Sequence, residues 1–106
     1  MTPQEAKELS LEVWTYLAEN PDCYRKYRLP AHLFNKIRDM PGLCPVCELY
    51  SYRRSGDDYY SCRKQCPLYR CDYKNSIYLR WKNSLCDIDR RKAAQKIVDK
   101  LKAWEP

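Results

Sequence analysis

Cys44-Pro45-Val46-Cys47 and Cys66-Pro67-Leu68-Tyr69-Arg70-Cys71 decide how this chain is read. Each turn presents a pair of thiols, and in both pairs proline follows the first cysteine. Proline fixes φ and pre-shapes a turn. A tetrahedral zinc ion takes four soft donors, each sulfur about 2.3 Å away, from turns with two to four residues between ligands. Two residues lie within the first pair and four within the second, and 18 separate the pairs, enough for a hairpin. The spacing assigns Cys44, Cys47, Cys66 and Cys71 to one structural Zn2+ site. Cys62 is the alternative ligand, because three residues separate it from Cys66 and the same spacing rule accepts that pair. In the preferred set Cys62 is a small buried residue at the end of a strand.

Composition explains the need for a staple. Leu, Ile, Val and Phe together number 19 of the 106 residues, a fraction at which chains struggle to fold unaided. A metal centre or disulfides supply the missing stability in small domains. The length fits one domain spanning 1–106. The start, Met1-Thr2-Pro3-Gln4-Glu5, carries no apolar run of a signal peptide, and no stretch is apolar enough to cross a bilayer. The expected location is therefore cytoplasmic, where clustered thiols bind metal more often than they form disulfides. A secreted disulfide framework is the alternative. Cys23 and Cys86 have no neighbouring thiol in sequence and read as core or boundary residues.

Around the cysteine-rich centre, 43–74, the pattern is helical. Thr2-Pro3-Gln4-Glu5 combines an N-cap hydroxyl, proline at the first helical position and a glutamate placed for a capping box. Ala6, Leu9, Val13 and Leu17 then recur at helical spacing, with Leu11, Trp14 and Ala18 widening the stripe. This predicts a helix over about 3–20, stopped by Asn20-Pro21. A second helix is expected over 30–40, with Leu33, Phe34, Ile37 and Met40 on one side. A third is expected over 76–84, capped by Ser76, and a last over 89–104, capped by Asp87 or Asp89, with a stripe of Ala94, Ile97, Val98, Leu101 and Trp104. The first and last helices should pack together, since neither holds with such a face exposed. Between the cysteine pairs, Glu48–Arg53 and Asp58–Cys62 flank a Gly-containing turn and read as a β-hairpin. The expected class is α+β: a small metal-stapled domain, with a zinc-ribbon-like β-hairpin flanked by packed N- and C-terminal amphipathic helices.

Catalytic patterns are missing from the sequence. A full thiolate set leaves a zinc ion no open position for water. His32 is followed by Leu33-Phe34, without the His-x-Glu of the zinc deaminases. Gly42 and Gly56 are the only glycines, so no phosphate-binding loop or nucleophile elbow is present. Cys44-Pro45-Val46-Cys47 lacks the βαβ setting of a redox dithiol. Iron–sulfur ligation by four thiols is a minor option. The reading is a protein with no enzymatic activity.

The charge of +6 is uneven. Residues 1–22 hold five carboxylates against Lys7 alone, a net of −4, which leaves +10 for residues 23–106. Such asymmetry marks a face for an anionic partner, or an acidic helix compensating a basic one. Seven of the ten tyrosines fall between Tyr50 and Tyr78, interleaved with basic residues. Two partner classes follow. The first is another protein, met by a Tyr, Trp and Arg surface of the type enriched at hot spots, with Arg53, Arg54, Tyr59, Arg63, Lys64 and Trp81 as contact candidates. The alternative is nucleic acid, bound by basic side chains on phosphates and aromatic planes on bases. No small-molecule substrate and no membrane contact are inferred.

Glu12-Val13-Trp14-Thr15-Tyr16-Leu17-Ala18, the Cys44-Pro45-Val46-Cys47 and Cys66-Pro67-Leu68 motifs with Cys71, and Tyr78-Leu79-Arg80-Trp81 together resemble a group of small Cys-rich proteins of bacterial and phage genomes. The resemblance covers most of the chain and brings no established activity. It implies a helix-flanked metal-binding fold. Three residues separate Cys62 from Cys66 where two are usual in that group, which leaves the fourth ligand open. A viral origin would imply inhibition of a host nuclease or polymerase.

Overall fold

Helix α1, Pro3–Glu19, starts where the sequence is punctuated for it. The Thr2 hydroxyl accepts the Glu5 N–H at 3.1 Å, and the Glu5 carboxylate accepts the Thr2 N–H at 3.3 Å, closing the capping box. Those two bonds satisfy donors that the first helical turn otherwise leaves unpaired. The computed structural model describes residues 1–40, 43–53, 60–62, 66–68 and 77–106. Within them α1 is followed by a 3-10 turn, Lys26–Arg28, then α2 (Ala31–Ile37), α3 (Pro45–Tyr50), β1 (Ser51–Arg53), β2 (Tyr60–Cys62), α4 (Ile77–Lys82) and α5 (Asp87–Ala103).

The core forms where α1 and α5 face each other. Ala6, Ser10, Val13, Trp14, Leu17 and Ala18 are buried on α1, and Ala93, Ala94, Ile97, Val98 and Leu101 on α5. Each large aliphatic side chain fully removed from water contributes roughly 1.5–3 kcal/mol. The two helices run antiparallel, and each end of the pair has a polar tie. At one end Lys7 Nζ donates to the Trp104 carbonyl at 2.6 Å, placing a cation on the exposed carbonyls of the α5 C-terminus. At the other end Arg90 donates from Nη1 to the Pro21 carbonyl at 2.7 Å and from Nη2 to the Ser84 carbonyl at 2.8 Å. One guanidinium thus fixes the connector after α1 against the turn before α5.

Helix α4 closes the bundle through aromatic rings. Trp14 meets Trp81 edge-on with centroids 5.0 Å apart and Tyr78 at 6.2 Å, a geometry that adds about 0.5–1.5 kcal/mol per pair beyond area burial. Among the described residues the buried indole N–H groups of Trp14 and Trp81 have no acceptor, which offsets part of that gain. Helix α2 is held to α1 by the Lys36–Glu12 ion pair at 3.0 Å, half exposed and therefore worth little. The α5 N-cap position is Cys86, with no side-chain cap bond. Asp87 and Asp89, expected to cap, instead lie in the first turn, where they complement the helix dipole.

The α+β, zinc-ribbon-like class expected from the sequence is overturned: the described chain is a helical domain. Two findings correct it. The Cys44-Pro45-Val46-Cys47 turn is not a knuckle between strands but the opening of α3, with Pro45 as its first residue. Proline's fixed φ suits the first helical position as well as it suits a turn, and here the helix wins as far as Tyr50. The strand expected over Glu48–Arg53 shrinks to Ser51–Arg53, which pairs antiparallel with Tyr60–Cys62 in the register Ser51–Cys62, Tyr52–Ser61 and Arg53–Tyr60. A two-stranded ladder of that length cannot stand alone in water and does not define the fold. No helix among the described residues is long and apolar enough to cross a membrane.

Candidate functional site

The cysteine centre is built on the helical frame. Cys44 immediately precedes α3 and is 9% exposed, and Cys66 is 5% exposed. Both belong to the single buried cluster that α1 and α5 organise. The leading thiols of the two Cys-Pro turns are thus drawn into one core. The Leu68 N–H donates to Cys66 Sγ at 3.4 Å. Cys47 lies on α3 and Cys62 ends β2 opposite Ser51, both described at the backbone. Cys71 lies outside the described residues. Among the described residues no group of three or more His, Cys, Asp or Glu side chains is placed to hold a metal ion.

What anchors the first turn is a residue the sequence reading passed over. Ser10 is fully buried on α1, and its hydroxyl accepts the Val46 N–H at 3.2 Å. Val46 is the second residue of α3, so its N–H has no partner within the helix. Pro45 has no N–H, and cysteine is not among the residues favoured at a cap. The cap comes from another helix. A serine inside an apolar stripe was the available signal.

Of the expected partner contacts, Trp81 is corrected outright. It is 2% exposed, packed against Trp14, and belongs to the core. Arg53 lies on β1 opposite Tyr60. Arg54, Tyr59, Arg63 and Lys64 lie outside the described residues. The exposed apolar side chains occur elsewhere. At the corner between α4 and α5, Leu85 is 100% exposed and Ile88 is 67% exposed. Beside them runs a groove of about 490 Å³ lined by Ile77, Leu85 and Ala93 with Arg80, Lys92 and Lys96, and Asp89 as its one carboxylate. The corner is rigid, because Arg90 bonds Ser84 immediately before it and its guanidinium stacks 4.8 Å from the Tyr24 ring centroid.

No family model, curated protein or solved structure matches the chain.

Among the described residues three groups are moved from their ordinary pKa, each by a local cause. The Thr2 hydroxyl and N–H of the capping box hold Glu5 below the usual carboxylate range. Burial pushes the Cys23 thiol up, and a backbone hydrogen bond at Arg25 opposes this in part. The Tyr27 hydroxyl, 2.7 Å from Arg25 Nη1, strengthens that guanidinium as a cation. Arg25 also lies over the exposed rings of Tyr24 and Tyr27, at 5.7 and 5.9 Å. Each of these shifts follows from local packing or a local hydrogen bond.

Proposed function

We propose that this chain is a non-catalytic, zinc-stapled helical protein that works as a protein-interaction adaptor or inhibitor. The observation that carries the reading is the α4–α5 corner. A chain with 19 Leu, Ile, Val and Phe residues leaves two of them, Leu85 and Ile88, in water on a braced turn. Scattered exposed aliphatics are ordinary, but two on one braced corner, one of them lining a groove, have the anatomy of a binding anchor. Cations around it give the surface direction and on-rate.

The staple is Zn2+ held by Cys44, Cys47, Cys66 and Cys71, with Cys62 as the alternative ligand. Two observations support it: the shared burial of Cys44 and Cys66, and the N–H donated to Cys66 Sγ. When bound, the ion supplies coordination that ties the centre to the helices, and no chemistry beyond that.

Elemental analysis with a thiol count before and after chelation tests the metal. The interaction is tested by capture from nuclease-treated lysate with wild type and with Leu85→Asp/Ile88→Asp. Both substitutions are exposed, so circular dichroism should be unchanged while a discrete captured protein is lost. Equal capture by the variant, or capture that vanishes on nuclease treatment, refutes the reading; the second result would turn it toward nucleic acid.

A further inference from the structure

We propose that the α4–α5 corner is also read by a second copy of this chain, docked through the acidic groove between α1 and α2. The proposal rests on the corner being an interaction surface and names one occupant for it.

The argument begins with the uneven charge. Helices α1 and α5 pack through their apolar stripes, so the polar face of each looks away from the other. Among the described residues no carboxylate of α1 pairs with a cation of α5; Glu12 pairs with Lys36 of α2 instead. The α1 side is therefore acidic and the α5 side basic, and among the described residues the two do not neutralise each other. On the acidic side lies a groove of about 510 Å³ between α1 and α2. Leu11, Tyr16 and Leu33 supply its apolar lining and Glu8, Glu12 and Glu19 its rim. On the basic side stands a protruding leucine flanked by Arg80, Lys92 and Lys96. An apolar knob beside three cations and one carboxylate, Asp89, meets an apolar groove edged by Glu8, Glu12 and Glu19, with Glu12 already paired to Lys36.

Two different surfaces in contact make a heterologous interface, which propagates head to tail unless it closes into a ring. Its charged part steers and orients the copies and weakens with salt, as the screening length falls from about 10 Å at 0.1 M to about 3 Å at 1 M. Self-association also covers Leu85, so it competes with any foreign partner at the corner.

The test uses the intact chain in sedimentation velocity over a concentration series at low and high salt. Wild type should show a mass that climbs with concentration and falls with salt. Leu85→Ser, which breaks the knob, and Glu8→Lys with Glu19→Lys, which breaks the groove, should each lose at least about tenfold in association constant. All three positions are exposed, so the fold is not at risk. Mixing the two variants should restore a complex that stops at one copy of each, because only one intact knob and one intact groove remain. A wild type that stays monomeric overturns the proposal, as does association that survives in either variant or a mixture that stays apart. A monomeric wild type whose partner capture still requires Leu85 would sink this inference and leave the proposed function standing.

Discussion

Replacing Ser10 with alanine should unseat the cysteine turn from a distance. Ser10 and Val46 are both fully buried, so water cannot take over when the hydroxyl is removed. The Val46 N–H, now 3.2 Å from Ser10 Oγ, would be left dry at the start of α3. An orphaned buried donor costs about 1–3 kcal/mol, a substantial share of the roughly 5–15 kcal/mol that holds a domain together. For a domain this size the Tm should fall on the order of 10 °C. Because Cys44 immediately precedes α3 and Cys47 lies on it, the same loss should appear at the proposed zinc site as an affinity lower by about 5–150-fold. Thermal and urea melts of wild type and Ser10→Ala, each with zinc and with chelator, measure both. Thr15→Ala, on the exposed face of α1, is the matched control and should lie within about 0.5 kcal/mol of wild type. If Ser10→Ala melts with the control, the interhelical cap contributes nothing and the account of how the turn is placed is wrong.

Three further outcomes follow from the structure. Trp81→Ala should cost about 3–5 kcal/mol in urea unfolding, as a core truncation does; a variant of wild-type stability would put Trp81 back on the surface. Thr2→Ala should cost about 1 kcal/mol of α1 stability. The Glu5 half of the box follows pH: its folded pKa lies below the unfolded one, so its contribution is complete above the unfolded value and disappears as pH falls through the folded value. Glu5→Gln should remove that slope, and an unchanged acid limb would refute the assignment. With a thiol reagent under native conditions, the exposed Cys86 should be modified well before the buried Cys23. The raised Cys23 pKa gives stability that is whole below the ordinary thiol value and is lost as pH climbs toward the folded value, so mass spectrometry should show Cys23 labelling only as alkali loosens the fold.

The long helices could be read from the sequence because their signals are local and repeated. Thr2-Pro3 begins α1, and the stripe from Ala94 to Leu101 lies on α5. Ambiguity begins where one residue serves two local structures. Proline after cysteine suits a metal knuckle and suits the first position of a helix, and its φ is the same in both. The choice at Pro45 depends on whether something accepts the N–H of the next residue. That acceptor is Ser10, 36 positions away, and no window around the cysteine motif contains it.

The same distance effect accounts for Trp81, Leu85 and Arg90. A tryptophan on a six-residue helix reads as a contact residue until Trp14 is brought edge-on against it. Leu85 carries no local signal of its exposure, which the α4–α5 corner imposes. Nothing local marks Arg90, whose guanidinium joins the Pro21 and Ser84 carbonyls. Those carbonyls belong to irregular connections with no ladder of their own, and leaving them dry would cost more than holding one arginine in place. Where a chain has few aliphatic residues, polar side chains of this kind take over the placing of its connections. Their loss should therefore be felt at the corner and the cysteine turn before it is felt in the helices.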